Sequence, residues 1–109
     1  MEYELVMYSR TSPCPYIRSA KRVLDRENIP YREIYIDQDP VAKQRVLDWT
    51  GFQSVPTIIL ALPGEDLPFE PPSPLSDSES PKGVDRGSMI TEPGEWQFEK
   101  WLRKHGFMQ

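Results

Sequence analysis

The chain carries one thiol, Cys14, in the stretch Ser12-Pro13-Cys14-Pro15-Tyr16. Pro15 suits the first position of a helix, so the cysteine falls just ahead of a helix start. Unpaired backbone N–H groups and the positive end of the helix dipole meet at such a place and favour thiolate over thiol. Arg10, Arg18 and Lys21 are close enough in sequence to add positive potential. The thiolate is the nucleophile of disulfide exchange, so the position suits redox chemistry. A lone cysteine can equally be a small buried hydrophobe, and position alone leaves both readings open. A second cue favours the reactive one. Val55-Pro56 directly precedes the apolar run Thr57–Leu62. Proline is acceptable at the first residue of a strand but not within a central one. A cis bond there would present the backbone of Val55 to a partner. We expect that bond to be cis and to lie beside the Cys14 sulfur.

The elements that must position these residues follow from periodicity. Tyr3–Tyr8 is aromatic and β-branched, as strands are. From Pro15 to about Asn28, Ile17, Ala20 and Leu24 share one helical face, and Pro30 closes the element. Tyr31–Asp37 alternates, with Ile34 and Ile36 on one side. Asp39-Pro40 opens a second helix, with Asp39 as N-cap, Ala42, Val46 and Trp49 on one stripe and Gly51 at its end. Thr57–Leu62 reads as a strand buried on both faces. Ser88–Thr91 is a short fourth strand, and Glu95–His105 a last helix with Phe98, Trp101 and Leu102 inward. Trp49, Trp96 and Trp101 are expected to serve packing. The order β-α-β-α-β-β-α predicts an α/β fold: a four-stranded mixed sheet flanked by three helices. The first three strands alternate with helices and are expected to run parallel, with the fourth antiparallel to the third.

Composition sets limits. With 109 residues and 38% apolar content, there is room for one domain and one modest core. No apolar run is long enough to cross a bilayer, and Met1–Ser9 lacks the basic start of a secretory signal. A cytoplasmic protein without membrane partners is expected. The single His105 has no cysteine or histidine beside it, so a zinc site within one chain is not expected. His105 falls in the last helical turn, where a cation or donor suits the exposed carbonyls. The net charge of −4 is unevenly placed. Pro63–Pro81 holds five acids, six of the twelve prolines and no Lys or Arg, and the rest of the chain is near neutral. No basic stripe points to nucleic acid. The stretch, continued to about Gly87, is expected to be a flexible insertion, residues 63–87, within a domain of residues 1–109. As a hairpin insertion it is expected at the end of the sheet opposite Cys14. It would be a solvated loop there, or else a docking segment for a basic partner.

The stretch YSRTSPCPYIRSAKRVLDRENIPYREIYIDQD, followed by GFQSVPTIIL, resembles the glutaredoxin family, over roughly Glu4–Leu62. The family's Cys-Pro-Tyr-Cys appears as Cys14-Pro15-Tyr16-Ile17, and its Thr-Val-Pro as Ser54-Val55-Pro56. The resemblance implies a thioredoxin-like fold. Three departures bear on function. Ile17 stands where the resolving cysteine would be, so exchange would be monothiol and an external thiol such as glutathione would complete it. Arg10 lies four residues before the cysteine, where the family has Lys three before. The family's Gly-Gly turn before the last helix is replaced by Met89-Ile90-Thr91-Glu92-Pro93-Gly94-Glu95. That segment is more similar to the N-terminal domain of glutathione transferases, in which a turn acid meets the γ-glutamyl ammonium. Glu92 would take that part, although acids also sit at helix N-termini for the dipole alone.

The resemblance therefore implies a glutathione-linked monothiol thiol-disulfide oxidoreductase. Cys14 would be the nucleophile, glutathione the co-substrate, and Arg10, Tyr16, Gln53, Val55, Pro56 and Glu92 the groups that hold the tripeptide. Its partners would be glutathionylated or disulfide-containing proteins, and the chain would act as a monomer. One alternative is an iron–sulfur cluster carrier bridged by Cys14 and glutathione. Against that, the bulk of Pro15 and Tyr16 fills space that such carriers leave open. The other is a non-catalytic binding domain on the same fold.

Overall fold

The computed structural model describes residues 2–109. The chain forms β1 (Glu4–Ser9), α1 (Pro15–Arg26), β2 (Tyr31–Tyr35), α2 (Pro40–Thr50), β3 (Thr57–Ala61), β4 (Met89–Thr91) and α3 (Glu95–Lys104). Local chemistry sets the helix ends as expected. Pro15 and Pro40 open α1 and α2, and the Asp39 carboxylate accepts from the Val41 and Ala42 N–H groups at 3.0 and 3.1 Å. Gly51 ends α2 in the left-handed region, φ +81°. Apolar positions spaced for a helix bury Ile17, Ala20, Val23 and Leu24 from α1 and Phe98, Trp101 and Leu102 from α3. Trp96 departs from expectation. It is 69% exposed, with Lys100 over its ring, because it lies on the helix side away from Phe98 and Trp101.

The four strands make one mixed sheet in the order β2-β1-β3-β4. β1 and β2 are parallel, while β3 is antiparallel to both β1 and β4. The fold is thioredoxin-like α/β. The expectation that the first three strands all run parallel is therefore corrected for β3. Its register on β1 runs from Glu4↔Ala61 to Tyr8↔Thr57, so β3 begins where β1 ends. The right-handed crossover rule governs only connections that return a strand parallel, and the link through α2 does not.

Side-chain alternation assigns the two faces of the sheet. Tyr8 meets Trp49 of α2 edge-on at 5.1 Å. On the other face, Ser9 Oγ donates to Glu33 Oε2 at 2.6 Å, and Lys21 of α1 pairs with the same oxygen at 2.8 Å. Burial pushes the Glu33 carboxyl up, but hydrogen bonds from Lys21, Ser9 and Tyr35 outweigh it and hold the group below its ordinary value. This cluster ties the end of β1 to β2 and α1, just before the cysteine loop.

The proline-rich insertion departs from the sheet at Pro63 but does not stay at that end. Lys82 and Asp85 bridge to Thr91 and Ile90, so the returning segment lies along the free edge of β4. Its placement opposite Cys14 is thus corrected. The unpaired backbone groups of an edge strand bind this segment and draw it along the length of the sheet. Arg86 anchors the return. It is buried, and its guanidinium donates to the carbonyls of Ser73 at 2.8 Å and of Trp49, in the last turn of α2, at 2.6 Å. No helix among the described residues is long and apolar enough to cross a membrane.

His105 follows α3 and packs edge-on against Trp101 at 5.0 Å, and burial, with Lys104 beside it, pushes its pKa below 6.5. It therefore sits as a neutral packing group rather than as a helix-end cation. Two predictions follow from these contacts. Arg86→Ala should cost about 3 kcal/mol by stranding two carbonyls, read as a lower urea midpoint with unchanged slope. Stability should also decline as pH falls below 6.5, because the unfolded chain protonates His105 first. Glu33 adds its loss only below its ordinary value of 4.5, so His105→Gln should remove the upper part of the decline in urea melts across pH.

Candidate functional site

β1 delivers the loop Arg10–Pro13 to the end of the sheet where β3 begins. Thr11 anchors this loop: its N–H and hydroxyl both donate to Asp37, which follows β2. The Thr11 hydroxyl, then its N–H, hold the Asp37 carboxyl below its ordinary range. Cys14 is the N-cap of α1 in extended conformation, and its carbonyl accepts from Arg18 N–H at 3.0 Å. Its thiol does not cap the helix. It points instead to the carbonyl of Val55, with Sγ 3.7 Å from the oxygen. Cys14 is partly exposed and packs against the edge of the core. Ile17 is buried in the core.

The Val55–Pro56 bond is cis, as expected from its place ahead of β3. Buried hydroxyls fix this turn. Thr57 Oγ1 donates to the Ser54 carbonyl at 2.9 Å and lies 3.1 Å from Thr91 Oγ1 on β4. The Pro56 carbonyl accepts from Glu92 N–H at 2.8 Å. The turn after β4 is therefore bonded to the proline turn beside the thiol. Glu92 itself has φ +43°, a left-handed conformation that side chains other than glycine rarely adopt.

Two clefts border this centre. The first, of about 440 Å³, has Arg10, Lys43 and Gln53 in its lining, with Asp37 and Asp39 among its acids. The second, of about 380 Å³, is lined by Phe52, Gln53, Ser54, Ser80, Lys82 and Glu92, together with Pro81. Gln53 thus stands between them. The structure brings Cys14, Val55, Pro56 and Glu92 into one bonded neighbourhood. Arg10 shares a cleft with Gln53, but no contact joins it to the thiol among the described residues. Tyr16 is partly buried, and its ring carries the Lys82 ammonium 4.3 Å from its centroid. A third cleft, about 750 Å³, lies at the other end of the sheet among Tyr3, Tyr31, His105 and Phe107, away from the nucleophile.

Sequence reasoning missed Lys82 and, with it, Ser80 and Pro81, because the insertion was expected at the far end. One signal was present: Lys82 is the first basic residue after Arg45 and closes the acidic stretch.

The strained turn makes a prediction. Glu92→Gly should raise stability by about 0.5–1 kcal/mol, since relief of the left-handed backbone exceeds the added freedom of the unfolded chain. Thermal melts would show it, and a fall in melting temperature would mean that the side chain contributes contacts larger than the strain.

A family model described as glutaredoxin matches residues 5–61, more than half of the chain. The match spans β1 to β3 and so includes Cys14 and the cis proline turn. No curated protein matches the chain. With the thiol at a helix start, the cis proline turn beside it and this match, the chain belongs to the glutaredoxin family of thiol–disulfide oxidoreductases.

Proposed function

We propose that the protein catalyses glutathione-linked thiol–disulfide exchange by a monothiol route, with Cys14 as nucleophile. The observation that carries this reading is the pairing of a partly exposed Cys14 with the Val55 carbonyl, Sγ 3.7 Å from its oxygen, at the N-terminus of α1. The thiolate attacks the glutathione sulfur of a protein–glutathione mixed disulfide. A Cys14–glutathione disulfide forms, and the protein sulfur leaves as a thiolate that takes a proton from solvent. A second glutathione thiolate attacks the glutathione sulfur held on Cys14. Oxidised glutathione departs and the Cys14 thiolate is restored. One S–S bond, between protein and glutathione, is broken and one, in oxidised glutathione, is formed. The protein sulfur is reduced to a thiol and the second glutathione's thiol is oxidised to disulfide level. The proton that glutathione gives up matches the one the protein thiolate takes, so the cycle balances.

Ile17, buried at the family's second-cysteine position, supports the monothiol route, since Cys14 is the only cysteine in the sequence. The backbone of Val55, turned toward the thiol, suits an extended peptide that adds to it as a strand would. Arg10 and Gln53 at one side and Glu92 at the other offer groups for the charged ends of the tripeptide. Its partners on this reading are glutathione and proteins carrying mixed disulfides.

Turnover of a glutathionylated peptide, coupled to reduction of oxidised glutathione, tests the proposal. Wild type should turn over and accumulate a species heavier by one glutathione when the second thiol is withheld. Cys14→Ser should fall to the uncatalysed rate while its stability changes by less than about 1 kcal/mol. Turnover that survives in Cys14→Ser would overturn the assignment of the nucleophile.

A further inference from the structure

The insertion lies outside the family match, yet it places one cation over Tyr16, two residues from Cys14. We propose that Lys82 is a specificity residue of this site, receiving the α-carboxylate of the γ-glutamyl end of glutathione while Glu92 receives its α-ammonium. The proposal rests on the glutathione-linked reading above and adds a residue to it.

Three observations carry it. First, Lys82 and Glu92 line one cleft of about 380 Å³ that also includes Ser54, the neighbour of Val55. A ligand whose sulfur meets Cys14 and whose backbone runs along Val55 therefore has this cleft within reach of one end. An acid and a base together match a zwitterionic amino-acid head and disfavour a plain anion or cation. Second, the backbone that bears Lys82 is held in place. Lys82 bridges to Thr91, and Gly83 N–H donates to the Thr91 carbonyl at 2.7 Å. Gly83 has φ +74°, and a Cβ there would stand 2.7 Å from Gln97 Oε1, which itself accepts from Gly94 N–H at 2.7 Å. The left-handed φ favours glycine here, and a Cβ would also displace the Gln97 amide; the turn sets Lys82 one residue across from the Glu92 turn. Third, the lysine head is already turned to the site: its ammonium lies over the Tyr16 ring, two residues from Cys14. That contact is exposed and weak, and an ammonium has three donors, so a carboxylate can recruit it without breaking the fold. The Tyr16 side chain and then the Glu92 charge push the Lys82 pKa upward, which keeps the head cationic at neutral pH.

Binding of S-methylglutathione, which cannot exchange, separates this proposal from the catalytic one. Calorimetry would compare wild type, Lys82→Ala and Lys82→Arg, each with S-methylglutathione and with its analogue amidated at the γ-glutamyl α-carboxylate. Wild type should bind the parent about tenfold more tightly than the amide, the scale of one charge-assisted hydrogen bond. Lys82→Ala should bind both ligands alike and weakly, and Lys82→Arg should keep the preference. Alkylation of Cys14 by iodoacetamide should proceed at the same rate in all three, showing that the thiol itself is undisturbed. If Lys82→Ala retains the preference for the parent, Lys82 is not the carboxylate partner, and the exchange reading stands. If wild type prefers the parent through Lys82 but does not turn over a glutathionylated peptide, the exchange reading falls and the Lys82 assignment stands. If wild type binds neither ligand, both are overturned.

Discussion

The antiparallel pairing of β3 with β1 is the constraint on which the site depends. Its register brings Tyr8 opposite Thr57, so the residues after β1 and those before β3 emerge at the same end of the sheet. Cys14 and Val55 are 41 positions apart in sequence, and this pairing places them in contact. The strands can do so because both are buried: residues from Leu5 to Tyr8 and from Ile58 to Ala61 are at most 1% exposed. A shift of one residue would turn every side chain to the opposite face. The cost of exposing those apolar side chains therefore holds the thiol against the proline turn.

The second determinant is the edge of β4. A strand of three residues at the border of a sheet leaves backbone groups unpaired. The insertion supplies partners, with Gly83 and Arg86 N–H groups donating to the carbonyls of Thr91 and Met89. Buried Arg86 then links this segment to α2 through the Trp49 carbonyl, where a positive charge also meets the negative end of the helix dipole. Burial lowers the Arg86 pKa, yet guanidinium remains charged far above neutrality. The same strip of backbone that covers the edge thereby reaches the thiol end of the molecule. A segment of unpromising composition becomes a wall of the cleft because its few sheet-like hydrogen bonds fall beside Thr91.

Electrostatics around the thiol are arranged in opposed groups rather than as a uniform positive field. Arg10 and Lys43 share a cleft with Asp37 and Asp39, and Lys82 shares one with Glu92. Such mixed linings favour ligands that carry both charges. Glu92 is held in this pattern at the expense of a left-handed backbone, stabilised by its bond to the Pro56 carbonyl. Unfavourable local geometry of this kind persists where surrounding structure over-determines it.

Much of this was legible in the residues themselves. Pro15 and Pro40 mark helix starts, Asp39 caps α2, and the run Thr57–Ala61 is buried on both faces, because each depends on local sterics or on the side chains of one segment. The placement of Cys14 at a helix start and of a cis proline ahead of β3 belongs to the same class. The direction of β3 does not, since a helical connection can return a strand either way and only packing of the whole sheet selects one. Nor does the path of the insertion. Its prolines and acids describe a chain with little to bury, and they carry no record of the free edge on β4 that it meets. Lys82 is therefore silent in the sequence as a site residue. Its role depends on Gly83 fitting against Gln97 and on hydrogen bonds to Thr91, contacts between segments that only the tertiary structure brings together.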